Sequence, residues 1–191
     1  AKNLPERITT TLYKAEELEL IKYNNIDNVY GTSAGAIVLA LWLLNMKKEE
    51  IYNFIVNKPW EKTLSLKDNI LSGLFNKKGI IDKSFIYDIL ESPFKANYLS
   101  VNLTLEEFYN HTKKEFHIFA TKVNDLNALE FSYKTHPKLE LINAIYMSST
   151  IPTIMQPIFY EDSYVIDGAL SYQYPIKPCI ECCDNMDNIL G

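Results

Sequence analysis

A chain of 191 residues, 47% hydrophobic and 23% charged, is long enough for one domain with a substantial apolar core. Its formal net charge of −5 argues against a general nucleic-acid-binding role, while basic pairs such as Lys113-Lys114 leave a membrane surface open as a partner. No apolar run reaches transmembrane length, the longest being residues 34–44, and residues 1–7 lack the apolar stretch of a secretory signal, so an intracellular, cytoplasmic or peripheral-membrane setting is expected.

In chain order, Ile8-Thr9-Thr10 reads as the start of a strand. Residues 11–23 carry Leu12, Ala15 and Leu18 at helical spacing, with Glu16, Glu17 and Glu19 on other faces, and predict an amphipathic helix. Asn24-Asn25 is a turn, residues 28–30 end a short strand, and residues 36–45 form a helix apolar enough to be buried on most sides. Between strand and helix lies Gly31-Thr32-Ser33-Ala34-Gly35, the Gly-x-Ser-x-Gly pattern of a nucleophile elbow. Gly31 and Gly35 are expected to lack side chains so that strand and helix do not clash around Ser33. The unpaired N–H groups at the helix start, that of Ala34 among them, favour developing negative charge. An ordinary strand-to-helix turn is the alternative.

Residues 47–58 predict a second helix stopped by Pro59. Residues 60–79 space Trp60, Leu64, Leu66, Leu71, Leu74 and Phe75 irregularly, as a cap, a groove wall or plain core would. Residues 82–90 predict a short helix, and Thr104-Leu105-Glu106-Glu107 is a capping box opening another that ends near His111. Residues 115–123 alternate as a strand, with residues 128–133 as its neighbour, and residues 137–147 return to helix with Pro137 in the first turn. Phe159-Tyr160 and Tyr164-Val165-Ile166 form a hairpin around Glu161-Asp162-Ser163, and its second arm runs into Asp167-Gly168-Ala169. Alternating strands and helices with no linker or repeat predict one α/β domain, residues 1–191, of three layers. Cys179, Cys182 and Cys183 are an odd, clustered set, unsuited to a disulfide framework and without a nearby His to complete a metal site.

A serine hydroxyl needs a base. The histidines are His111, His117 and His136, and none follows Asp167, so the Ser-acid-His order of α/β-hydrolases is absent. That leaves a carboxylate acting directly on the serine. Asp167 is the best candidate, because it leaves an apolar strand and Gly168 permits a sharp turn; the alternative is that Asp-Gly only closes a β-turn.

Gly31-Thr32-Ser33-Ala34-Gly35 together with Asp167-Gly168-Ala169 resembles the patatin-like phospholipase family. Ser148-Ser149-Thr150-Ile151-Pro152 followed by Gln156-Pro157 resembles its S-x-x-x-P block, and Asp167-Gly168-Ala169-Leu170 followed by Tyr174-Pro175 its D-G-G/A … N-x-P block. Gly79-Ile80-Ile81-Asp82, residues 104–108 and residues 116–123 resemble further stretches in family order, so the likeness spans residues 12–178. It implies a patatin-like α/β/α fold with a central, mostly parallel sheet. It also implies a Ser33–Asp167 dyad that cleaves fatty-acyl esters of phospholipids or other acyl lipids, at a peripheral membrane surface, with no metal or cofactor. No oligomeric state follows. One departure stands out: the family's glycine-rich loop, G-G-G-x-R/K-G, which supplies N–H groups to the oxyanion, has no counterpart, since no glycine precedes Gly31. Either Leu4-Pro5-Glu6-Arg7 stands in its place, or a strand-and-loop piece belongs between Thr10 and Thr11; the second is the expectation. Two rivals follow: a lipid-binding or scaffold protein with a vestigial site, and an esterase whose histidine lies beyond Gly191.

Overall fold

Residues Ala34–Leu43 are apolar on every side and form helix α2, which buries Ala36, Val38, Ala40, Leu41, Trp42 and Leu43. This helix is the centre of a computed structural model that describes residues 4–57, 81–183 and 185–190. The stretch expected to form a cap or groove wall, from Trp60 to Phe75, lies outside the described residues, as do Pro59 and Gly79.

Helix α1 (Leu4–Glu17) and a short 3-10 turn (Tyr23–Asn25) lead to β1 (Asn28–Thr32) and α2, then α3 (Lys48–Asn57). Helices α4 (Ser84–Ala96) and α5 (Leu105–Thr112) precede β2 (Glu115–Lys122) and β3 (Ala128–Phe131). Helix α6 (Leu141–Ser148), the hairpin β4 (Ile158–Tyr160) and β5 (Ser163–Asp167), and helices α7 (Ala169–Tyr172) and α8 (Ile176–Glu181) complete the order.

The architecture is the expected α/β/α. On one face of β2, Ile118 and Ala120 join the main core with residues of α2 and α6. Side chains alternate along a strand, so Phe119 and Thr121 point the other way, where they meet Tyr172 and Ser171 of α7 and its end. Within this frame the described sheet is mixed rather than mostly parallel: β1 pairs with β2 in parallel, whereas β2–β3, β2–β5 and β4–β5 are antiparallel.

The register fixes the site. A strand residue has one neighbour on each side. β3 pairs with residues 118–121 of β2, which it shares partly with β1 (residues 115–119) and partly with β5 (residues 120–122). β1 and β5 therefore both lie on the side of β2 away from β3, one beyond the other along it. β1 runs parallel to β2 and ends with Thr32 opposite Phe119; β5 runs antiparallel and ends with Asp167 opposite Ala120. Their C-terminal ends converge at neighbouring residues of β2.

Local readings fare unevenly. The capping box of α5 is formed, with Glu107 N–H donating to Thr104 Oγ1 at 3.2 Å and Thr104 N–H to Glu107 Oε2 at 2.7 Å. The β4–β5 hairpin turns on Glu161 and Asp162 at φ 44° and 66°, the two-residue turn whose twist suits antiparallel strands. Ile8-Thr9-Thr10 is helix, not strand. The β-branched residues mislead there because Thr9 and Thr10 return their hydroxyls to Pro5 O and Glu6 O, both at 2.8 Å, inside the helix. Helix α1 runs unbroken through Thr10 and Thr11. The helix expected from Pro137 begins only at Leu141, because residues 137–141 hydrogen-bond the start of α5 instead: Leu105 and Glu106 N–H donate to Leu139 O and Pro137 O, and Leu141 N–H to Leu103 O. Helix α4 runs past Leu90 and through Pro93.

Thr104→Ala should remove the acceptor of the Glu107 N–H at the start of α5 and cost about 1 kcal/mol, read as a lower denaturant midpoint with an unchanged slope.

Candidate active site

Ser33 follows β1 directly and adopts φ 54°, ψ −126°, a conformation costing an L residue on the order of 1–3 kcal/mol. Two features hold it there. Its carbonyl accepts the N–H groups of Ala36 and Ile37, which starts α2. Its own N–H donates to Ser148 Oγ at 2.9 Å, and that hydroxyl donates onward to Phe119 O at 2.6 Å. Gly31 is tightly enclosed: a Cβ there would sit 2.8 Å from the end of the Leu39 side chain and 3.1 Å from Ala36 Cα, so the Leu39 side chain and the start of α2 would have to shift. Gly35 is not, since a Cβ there meets nothing within 4 Å, which corrects the expectation that both glycines relieve a clash.

Asp167 is 8% exposed. Its Oδ2 accepts the Ser33 hydroxyl at 2.6 Å, and its Oδ1 accepts Ala169 N–H at 2.8 Å. The main chain is held as firmly, with Asp167 N–H donating to Thr150 O at 2.9 Å, Gly168 N–H to Ser148 O at 3.1 Å, and Thr121 Oγ1 to Asp167 O at 3.0 Å. These acceptors include carbonyls at the C-terminal end of α6, which have no partner within their own helix. Both carboxylate oxygens are thus committed, and the one facing Ser33 is aimed along a short O–H···O⁻ bond. Gly168 has no alternative: a Cβ there would lie 2.0 Å from Phe119 O and 2.6 Å from Phe119 C.

Ala34 and Gly35 open α2, where the first N–H groups lack intrahelical acceptors. The Ser33 amide just before them is bound to Ser148 Oγ. Among the described residues no histidine bonds to the pair. His117 Nδ1 lies 2.6 Å from Glu130 Oε1, its ring stacked on Tyr30; His136 Nε2 lies 3.1 Å from Glu161; His111 is exposed at the end of α5. Burial, and next a hydrogen bond from its O–H to Cys182, push the Tyr30 hydroxyl well above its ordinary pKa. Cys179, Cys182 and Cys183 are free thiols, and burial, then Cys183 and Cys182, raise the pKa of Cys179. Among the described residues no group of three or more His, Cys, Asp and Glu is arranged to hold a metal ion. A groove of about 890 Å³ runs along the outer side of β1 past Tyr30, Trp42 and Cys179 and includes neither Ser33 nor Asp167.

Sequence reasoning missed the supports: Ser148, Thr150, Thr121 and the Phe119 carbonyl. Only Ser148 carried a signal, as the first residue of the S-x-x-x-P block.

The sequence profile described as patatin-like phospholipase matches residues 10–180. The chain belongs to this family. Among curated relatives, this patatin-like chain is 28% identical over 162 residues to a protein named "Probable lipid hydrolase 463L" of Invertebrate iridescent virus 6, covering 84% of the chain and 56% of the relative. It is 24% identical over 170 residues to "Uncharacterized protein R571" of Acanthamoeba polyphaga mimivirus, covering 88% and 54%. The patatin-like chain thus spans about half the length of the curated relatives it matches. Among solved structures it superposes on VipD from Legionella pneumophila with TM-score 0.55 at 15% identity, covering 86% of this chain and 44% of VipD, a likeness of fold.

Gly168→Ala should cost more than about 3 kcal/mol or prevent folding, because the atoms it strikes are backbone. Gly35→Ala should leave stability unchanged or raise it by up to about 1 kcal/mol, as alanine does in a helix. Thermal unfolding of the two variants beside the parent checks the contrast.

Proposed function

We propose that the chain carries the active centre of a phospholipase A-type lipid hydrolase, which cleaves fatty-acyl esters through an acyl-serine intermediate on a Ser33–Asp167 dyad. The observation that carries this reading is the 2.6 Å bond from Ser33 Oγ to Asp167 Oδ2, made by a serine on a strained strand-to-helix turn. Family membership and the similarity to a viral protein named as a probable lipid hydrolase support the substrate class.

The steps follow from the geometry. Asp167 takes the Ser33 proton as Oγ attacks the ester carbonyl. The tetrahedral oxyanion receives the Ala34 N–H at the positive end of α2. Protonated Asp167 returns its proton to the departing lysolipid alkoxide, leaving acyl-Ser33. Water then attacks the acyl carbon as Asp167 takes its proton, and fatty acid leaves with Ser33 restored. The substrate would meet the protein at a membrane surface; no helix among the described residues is long and apolar enough to cross a bilayer. No step calls on a metal or cofactor.

One observation favours a second reading, a weak or inactive lipid-binding protein of the same fold: the amide of Ser33 is already bound, so the elbow offers few donors to an oxyanion.

Incubation with phosphatidylcholine vesicles should release fatty acid, and a fluorophosphonate probe should label Ser33. Ser33→Ala and Asp167→Asn should each lower kcat by about 10³-fold or more with the fold intact by circular dichroism. Lipid hydrolysis retained in Ser33→Ala would sink the assignment, and a folded parent that neither labels nor hydrolyses favours the second reading. A chelator should leave fatty-acid release unchanged.

A further inference from the structure

We infer that Ser148 is a positioning residue that sets the geometry of the Ser33–Asp167 pair, an inference resting on the hydrolase reading above. Thr32 is the last residue of β1 paired with β2, so the next amide, that of Ser33, lies past the end of the ladder. It also precedes the first helical residue, Ala34, and so finds no helix acceptor. A buried N–H without a partner is costly, and this one belongs to a residue already held at φ 54°.

The Ser148 hydroxyl answers both demands at that point. It accepts the Ser33 N–H at 2.9 Å and donates to the Phe119 carbonyl at 2.6 Å, in a position with no solvent exposure. A group that must accept once and donate once in a space this small is a hydroxyl. The same residue's carbonyl accepts Gly168 N–H at 3.1 Å, next to Asp167. Ser148 therefore grips the nucleophile's backbone with its side chain and the aspartate's strand exit with its main chain. Removing the hydroxyl orphans two polar groups, Ser33 N–H and Phe119 O, and frees the elbow to relax away from Asp167. The block beginning at Ser148 thus has a physical role distinct from chemistry: the Ser148 hydroxyl bonds the backbone of Ser33 and Phe119, while the Ser33 hydroxyl bonds Asp167.

The test compares Ser148→Ala, Ser148→Cys and a matched control, Thr112→Ala, which also deletes a buried hydroxyl, one that donates to Phe108 O at 2.9 Å far along the chain from the dyad. Ser148→Ala should lower kcat about 10- to 100-fold, as small misplacements of a reacting group do, with KM within about twofold of the parent. The rate of fluorophosphonate labelling should fall in proportion, and the Ser33 amide should exchange its hydrogen at least about tenfold faster by NMR. Ser148→Cys, whose thiol is a weaker donor and acceptor, should fall between, and it decides the matter if Ser148→Ala does not fold. Thr112→Ala should lose stability and keep kcat. A Ser148→Ala kcat within twofold of the parent, or a drop equal to that of Thr112→Ala, overturns the inference. If the folded parent neither hydrolyses lipid nor labels, the hydrolase reading fails, and amide exchange alone judges Ser148: faster exchange supports the positioning role and unchanged exchange overturns it.

Discussion

Everything at this site depends on the register of two strands along one side of a third. β1 and β5 approach each other head-on beside β2, and their last residues stand opposite Phe119 and Ala120. A slip of one residue in either pairing would turn its side chains to the other face of the sheet and part Ser33 from Asp167. The register is anchored by burial, since Ile118 and Ala120 must stay in the core while Phe119 and Thr121 face α7. The convergence point is also where the chain is most crowded. Gly168 passes so close to the Phe119 carbonyl that no side chain fits, which makes the Asp-Gly pair a packing requirement as well as a turn.

The end of α6 supplies the second constraint. A helix leaves its last carbonyls without partners, and here Gly168 N–H fills that of Ser148, while Asp167 N–H donates to Thr150 O just past the helix end. The same turn offers the Ser148 hydroxyl to Ser33. One helix terminus therefore ties together residues 134 positions apart in sequence, and the strain stored at Ser33 is offset by bonds from elements that are themselves well buried. A Ser33–Asp167 pair held this way needs no histidine to orient it. Asp167 is oriented by the Ala169 amide instead, and each histidine in a bonded position is engaged with a glutamate elsewhere.

Much of this was legible in advance because it is local. The elbow, the capping box, the hairpin and the apolar helix after Ser33 each rest on residues within a few positions of one another. The errors were places where long-range bonds overrode local preference. Pro137 looked like a helix start, but its segment gives its carbonyls to α5. Ile8-Thr9-Thr10 looked like a strand because β-branched residues favour one, yet the hydroxyls bond back along the helix. Gly35 looked like a steric necessity, and the structure leaves open space there.

The sequence by itself determined the chemistry on offer: a serine on a tight strand-to-helix turn, an aspartate at a strand exit, and an order of blocks that resembles one family. Those are properties of short stretches, where residue type and spacing limit what the backbone can do. Only the tertiary structure decided that Ser33 and Asp167 meet, which oxygen faces the hydroxyl, and that Ser148 stands behind them. Such facts depend on strand register and on the end of a distant helix, and no local pattern encodes a distance between residues that far apart.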